Sequence, residues 1–349
     1  MELKKIDKPD LGLFLQNLIK DFQVEGVKRK GQSVYGQSFF YGSINAPDEL
    51  CLDFDCTTMP PKKYFIPPKE ELLKFTIAPK PEVAEVIESK PLIIFGVHPY
   101  DLKAVNQMDK IFSEGNPDPN YLKRREGILL IGVDPTKVSP RSFWNSMEAA
   151  SVSSGFDLML TDIGESYLVE VGTDKGGNLL KKYAKVSSVT KEEEQKRIDV
   201  RSKIWNMCKK RALNFPMREL PSLLVNSLNS PLWDEKASKC LSCVTCNMVC
   251  PTCYCFDVWD DVELDLTHGQ RYRRWDGCLA SDFAKVATGE NFRETRAARY
   301  RHRFLRKGQY LFSKLNDAAC VGCGRCAAYC LPDIADPVDV FNRLKEAVK

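Results

Sequence analysis

Two runs of cysteine decide how this chain is read: Cys240-Leu-Ser-Cys243-Val-Thr-Cys246-Asn-Met-Val-Cys250-Pro251 and Cys320-Val-Gly-Cys323-Gly-Arg-Cys326-Ala-Ala-Tyr-Cys330. Both have the spacing C-x2-C-x2-C-x3-C, and they hold eight of the chain's 14 cysteines. Steps of three residues let a tight loop wrap three corners of one inorganic cube. Gly322 and Gly324 relieve the backbone where such a loop bends close to sulfide. Thiolates are soft ligands, and backbone N–H groups freed by the loop can point at the sulfurs.

This is the spacing of a bacterial-type ferredoxin, in which the fourth cysteine of each run crosses to the other cube. We therefore expect Cys240, Cys243, Cys246 and Cys330 to hold one [4Fe–4S] cluster, and Cys320, Cys323, Cys326 and Cys250 to hold the second. The competing reading is zinc bound by four thiolates. A single zinc uses only four cysteines in all, whereas each run has four at ferredoxin spacing, with Pro251 directly after the first.

Working outward, 349 residues allow two or three domains. Charged residues make up 28% and apolar residues 43%, an ordinary balance for a soluble globular chain. A net charge of +4 does not by itself argue for nucleic acid. The longest apolar runs, such as Leu92–Val97, are too short to span a bilayer, and the N-terminal residues show no apolar signal region. The cysteines thus read as reduced ligands in a cytosol, and oxygen-sensitive clusters favour an anaerobic or microaerobic setting.

In the N-terminal part, Leu11 to Phe22 has the apolar spacing of an amphipathic helix. Alternation from Leu50 to Phe54 predicts a strand. Leu92–Val97 and Gly127–Val133 read as buried parallel strands joined by a helix from Leu102 to Phe112, with Asp101 as its cap. Phe156–Leu160 and Tyr167–Val171 read as a hairpin, and Thr190-Lys-Glu-Glu193 as a capping box opening a charged helix to about Leu213. No G-x-G-x-x-G opens a helix and no phosphate-binding loop of the P-loop type occurs, so a nucleotide or flavin site in this chain is unsupported. Cys51 and Cys56 fall outside any ligand pattern and read as small buried residues. Cys208 lies on the charged helix. The expected architecture is α+β: an N-terminal α/β scaffold or docking domain over 1–215, then a ferredoxin-like dicluster domain over 216–349.

Between the runs lies an insertion, 251–319, expected to be mostly helical and basic. From His268 to Tyr310 it has eleven Lys or Arg against four Asp or Glu. A solvated helix face and a nucleic-acid surface are the competing readings. We favour arginines that stabilise reduced clusters and meet an acidic protein partner, with Arg299, Arg303 and Arg306 facing another subunit. Cys253, Cys255 and Cys278 are candidates for a third metal centre, but three cysteines lack an evident fourth, and packing as buried thiols is the preferred reading. Arg325, inside the second run, is a candidate tuner of its cube.

Six further stretches carry a resemblance. Met59-Pro-Pro-Lys62, Phe95-Gly-Val-His98-x-x-Asp101, Gly155-Phe-Asp-Leu158, Cys250-Pro-Thr-Cys253-x-Cys255, Arg274-Trp275-x-x-Cys278 and Gly289-x-Asn-Phe-Arg293 occur in this order. They resemble the iron–sulfur beta subunit of cytosolic nickel–iron hydrogenases (sulfhydrogenases) and the corresponding iron–sulfur subunit of anaerobic sulfite reductase, over nearly the whole chain. The resemblance implies an electron-transfer subunit without substrate chemistry. It would relay electrons between a flavin subunit that handles NAD(P)H and a hydrogenase-, sulfite-reductase- or heterodisulfide-reductase-type subunit, including complexes of flavin-based electron bifurcation. Relatives often have cysteine where this chain has Tyr100, and further cysteines after the strand matching Gly127–Val133. Here that region has none, so a cluster held there in relatives is expected to be missing. The alternative function is a non-redox metal-binding scaffold that binds partners through the basic insertion.

Overall fold

The computed structural model describes residues 2–33 and 36–348. Strand β1 (Leu3–Asp7) leads into helix α1 (Lys8–Asp21), which buries Leu11, Phe14, Leu15 and Leu18 on the face that the spacing predicts. Strands β2 (Gln23–Ser33) and β3 (Gly36–Ser43) form an antiparallel hairpin. Then come β4 (Lys69–Thr76), β5 (Glu82–Glu85), β6 (Leu92–Val97), helices α2 (Pro99–Ser113) and α3 (Pro119–Gly127), and strands β7 (Ile128–Val133), β8 (Leu158–Asp162) and β9 (Ser166–Val171).

Seven of these strands make one sheet in the order β1-β9-β8-β7-β6-β2-β3. Its centre is parallel, β2 with β6, β6 with β7 and β7 with β8, while the strands toward each edge run antiparallel. Every residue of β6 is buried, as a continuous apolar run requires when both faces are covered. Helix α4 (Asp174–Tyr183) follows, then α5 (Lys191–Cys208), which opens on the capping box of Thr190 and Glu193 and buries Cys208 at its end.

Two local expectations fail for identifiable reasons. Leu50–Phe54 is irregular chain. Strand β2 already has a neighbour on each side, so the segment cannot pair beside it, and it instead packs Phe54 on Phe39 of β3 and flat on His98. Helix α2 starts at Pro99, whose fixed φ suits the first helical position, with His98 as the cap. Asp101 therefore lies inside the first turn, 2% exposed, where its carboxylate serves a tertiary contact rather than the helix end.

Beyond α5, short helices α6 (Leu220–Asn226), α7 (Leu232–Ser238) and α8 (Thr245–Met248) lead through the first cysteine run. The insertion then opens with a hairpin, β10 (Phe256–Val262) and β11 (His268–Trp275), and only its later part is helical: α9 (Arg296–Leu305), a wider π turn over Arg306–Tyr310, and α10 (Phe312–Leu315). Helix α11 (Arg325–Ala328) lies in the second run, and α12 (Pro337–Val348) closes the chain. The hairpin does not stand apart. Strand β11 pairs with β4, giving a second sheet β10-β11-β4-β5 assembled from segments some 200 residues apart.

Under that junction Glu70 of β4 accepts from Arg124 of α3 at 2.8 Å and from Arg273 of β11 at 2.7 Å. All three are buried, and Arg273 also reaches Asp118. Removing one member of a buried ionic set leaves uncompensated charge and costs about 3–5 kcal/mol. Glu70→Gln is expected to lower the unfolding free energy by that order in a chemical unfolding experiment. Glu82→Gln, on exposed β5, is expected to change stability by less than about 0.5 kcal/mol.

Candidate metal centre

The two cysteine runs adopt the same backbone. In the first, Ser242 and Val244 have φ of 52° and 61°, and one turn of helix, α8, follows; in the second, Gly322 and Gly324 have φ of 67° and 81°, and α11 follows. The left-handed residues fall two and four positions after the leading cysteine in both. This turns amides inward, and the N–H of Ser242 lies 3.4 Å from Cys240 Sγ. A β-branched side chain is disfavoured by about 1–2 kcal/mol in this region, so Val244 is held there by the loop's tertiary surroundings.

Glycine is required in the second run because protein backbone closes over it. A Cβ on Gly322 would stand 2.6 Å from Trp144 Cα, and one on Gly324 would stand 2.4 Å from the Arg141 carbonyl carbon. The covering segment is the long loop after β7. Phe143 donates its N–H to Gly322 O at 2.8 Å, and Ser142 Oγ donates to Cys323 O at 3.0 Å. The close approach that these glycines permit is thus to the loop of residues 141–144.

The sulfurs fall into groups that cross between the runs. Cys250 lines one narrow cavity with Cys320, Cys323 and Cys326, closed by Phe143, Thr252, Arg303, Phe304 and Lys307. Cys246 lies within electrostatic reach of Cys326 and Cys330. Cys240 is buried behind α7, whereas Cys243 is exposed. Among the described residues no set of three or more His, Cys, Asp or Glu is drawn up in metal-holding geometry. Cys253, Cys255 and Cys278 converge beside Cys250: Asn247 Nδ2 donates to Cys253 Sγ at 3.6 Å and to Cys278 Sγ at 3.4 Å. Cys51 and Cys208 are buried and Cys56 is half-buried against Cys323 O.

The charges around the sulfurs test whether an anionic cluster suits this interior. Lys62, Arg303 and Lys307 are 2%, 2% and 6% exposed, and among the described residues none has a carboxylate partner. Their hydrogen bonds go to neutral oxygens: Lys62 Nζ to Asn247 O and Cys253 O, Arg303 Nη2 to Cys246 O, and Lys307 Nζ to Thr252 O and Oγ1. Arg303 Nε has no partner among the described residues. Three buried cations without anions would cost several kcal/mol each unless an anion sits among them. Thiolate-bound iron supplies one, so the donor set fits.

The thiols respond to both burial and these cations. Burial pushes Cys246 up to about 12, with Arg303 opposing, and pushes Cys320 up to about 12. A hydrogen bond with the Cys253 thiol holds Cys250 well below the usual thiol range against its burial, with Lys307 and Arg303 assisting. Burial lowers Lys62, partly offset by the thiols of Cys253 and Cys250. Most of these sulfurs would stay protonated without metal, so cluster assembly releases protons.

The arginine row corrects the docking expectation. Arg299 and Arg303 are buried, not presented to another subunit, and Arg306 is half-buried. Each arginine of this stretch with a described partner finds it inside the chain: Arg296 on Cys240 O, Arg299 on the carbonyls of Arg293 and Glu294, Arg301 on Leu228 O, Arg303 on Cys246 O, Arg306 on the Tyr254 hydroxyl. Helix α9 packs on α7 through Tyr300 and Phe304, and residues 299, 303 and 307 rise along one face toward the sulfurs.

Arg325 makes a fixed ion pair beside the second run. It is 1% exposed and holds Asp101 with two parallel bonds, 2.6 and 2.7 Å, while donating to Thr57 O and Oγ1. The pair anchors the second run to α2, and the Arg325 charge also opposes the burial that pushes the Cys323 thiol up. Tyr100 is buried beside this pair, with its hydroxyl donating to Asp55 O. Sequence alone gave no role to Lys62, Asn247, Thr252 or Lys307. The one available signal for Lys62 was its place in the Met59–Lys62 stretch.

Comparison with known proteins agrees with this geometry. Residues 239–334 match the 4Fe-4S dicluster domain family. The chain is 32% identical over 314 residues to sulfhydrogenase 2 subunit beta of Pyrococcus furiosus, covering 90% of this chain and 91% of that protein. No solved structure matches. No helix among the described residues is long and apolar enough to cross a membrane. With two ferredoxin-spaced runs interleaved around buried cations, and with likeness along nine-tenths of its length, the chain belongs to the family of sulfhydrogenase beta subunits and carries two [4Fe–4S] clusters.

Proposed function

We propose that this chain relays electrons through its two clusters, between a flavin subunit that handles NAD(P)H and a catalytic or further iron–sulfur subunit of one complex. In this reading Cys240, Cys243, Cys246 and Cys330 hold the first cluster and Cys320, Cys323, Cys326 and Cys250 the second. The observation that carries it is the shell of Lys62, Arg303 and Lys307, cations buried among thiols without a carboxylate partner among the described residues. A cluster gains negative charge on reduction, and fixed cations in a low-dielectric site favour that state without reorganising. The shared wall of Cys250 with Cys320, Cys323 and Cys326 supports the crossed ligation. The scaffold alternative loses its main support, because the basic insertion turns its central arginines inward.

The partner's approach is read from exposure. Cys243 is exposed between an exposed Leu241 and the α8 turn, and Leu331, next to Cys330, is 77% exposed. The second run's Cys323 and Cys326 are buried. The first cluster's edge is therefore the docking edge for a redox partner, and large apolar side chains left in water there suit an interface between subunits.

Three outcomes are expected. Cys330→Ser removes the signal of the cluster held mainly by the first run, and Cys250→Ser that of the cluster held by the second, by electron paramagnetic resonance of anaerobic protein. If each variant instead damages its own run's cluster, the ligation is not crossed. Second, Lys307→Met lowers the reduction potential of the adjacent cluster by tens of millivolts to about 100 mV in a redox titration, because it removes a charge that favours the reduced form. An unchanged or raised potential contradicts this role. Third, Leu241→Glu with Leu331→Glu weakens assembly with the redox partner or slows electron transfer, both cluster spectra being preserved. Normal assembly and transfer would move the docking edge elsewhere.

A further inference from the structure

Cys253, Cys255 and Cys278 belong to neither ferredoxin run, yet the fold brings them together by two independent routes. The first is the register of the β10–β11 hairpin. Phe256 pairs with Trp275, the next step outward joins Cys255 O to Asp276 N–H at 3.0 Å, and Cys278 lies two residues further on. The hairpin thus sets Cys255 beside the turn that carries Cys278. The second route is the seating of that turn on the first run. A Cβ on Gly277 would stand 2.6 Å from Val244 Cγ1 and 3.0 Å from Asn247 Cβ, so only glycine lets Cys278 come this near.

What surrounds the three sulfurs is not the apolar packing of inert buried thiols. Asn247, 1% exposed, donates one amide group to both Cys253 and Cys278, and its Oδ1 is buried without a hydrogen-bond partner among the described residues. The ammonium of Lys62 is held 3.0 Å from Cys253 O and 4.3 Å from the centre of the Trp275 ring, with no carboxylate partner among the described residues. Amide donors and an unmatched cation turned on three thiols make a shell for thiolate anions. Lys62 shares this group with Lys307, whose ammonium is held on Thr252 O next to Cys253, and with Arg303, both of which also line the second run's cavity.

We infer that Cys253, Cys255 and Cys278 hold a third iron–sulfur cluster, with a non-thiolate ligand left to its fourth iron. This reverses the reading of the three as packed thiols. The inference rests on the relay proposed above and extends it. The second run's cluster is enclosed, so a relay through it needs a second way out. Cys255 is half-exposed at the foot of the β10–β11 sheet, and Cys253 donates its N–H to Cys250 O at 3.4 Å. The third cluster exchanges single electrons with its neighbour, with no bond made or broken.

The test is made on the anaerobically purified full chain. About twelve irons and twelve sulfides per chain are expected, with the cluster count checked by Mössbauer spectroscopy. Cys253→Ser with Cys278→Ser is expected to lose about four irons while both ferredoxin-type signals persist, and Cys255→Ser to weaken the same third signal. Cys51→Ser, at a buried thiol outside the group, is the control and keeps the full count. About eight irons in the unaltered chain, unchanged in the variants, overturns the third cluster and leaves the relay standing. One zinc lost with Cys278→Ser overturns it as an iron–sulfur site. Fewer than about eight irons in the unaltered chain would strike the two-cluster relay itself, a failure distinct from the first. The count on the unaltered chain keeps the inference falsifiable even where a variant does not fold.

Discussion

Iron bound by thiolates carries negative charge into a protein interior, where an unmatched charge is costly, and a large part of this chain exists to match it. Lys62 comes from the segment before β4, Arg303 from α9 and Lys307 from the turn after it, and all three are withdrawn from water without a carboxylate to meet them among the described residues. In a chain with no cluster these positions would be among the least favourable in the molecule. With clusters they become the main electrostatic support of the site. Part of the insertion's basic excess, Arg303 and Lys307, is therefore internal compensation rather than surface.

The same requirement explains the interlocking of the two halves. Lys62 reaches the first run only because β4 is paired with β11 and Trp275 donates to Ile66 O, fixing the approach of the preceding loop. The second run is clamped from the other side by the 141–144 loop over Gly322 and Gly324 and by Arg325 on Asp101 and Thr57. Each run thus has one wall from its own segment and one from the N-terminal part of the chain. A rigid shell keeps dipoles and charges from relaxing when an electron arrives, and this keeps reorganisation small.

Much of this is legible in the amino-acid sequence. The cysteine spacing announced both clusters, because ligand geometry repeats in sequence. Apolar runs announced β6 and β7, and the Thr190–Glu193 pair announced α5, because those signals are local. What was not legible depended on pairing at long range. Helix α9 has arginines at helical spacing, and periodicity gives the face but not whether it meets water or sulfur. Asp101 looked like a cap, since nothing nearby revealed Arg325, 224 residues later. The β10–β11 hairpin is hidden by its charges, Asp257 facing Arg274 and Asp260 facing Arg271 across the strands, a polar ribbon with little of the apolar alternation that marks a strand.

The interleaving of the runs has a consequence for how the protein is made. Cys250 leaves the ribosome well before Cys320, Cys323 and Cys326, with which it shares a wall, and Asp101 waits for Arg325 even longer. During that interval the early cysteines are nascent thiols without their metal or their covering loop. On the crossed ligation proposed above, cluster delivery is tied to the end of synthesis, and the maturation machinery must receive a nearly complete chain. Any oxidant that reaches the first run before the second emerges competes directly with iron for the same sulfurs.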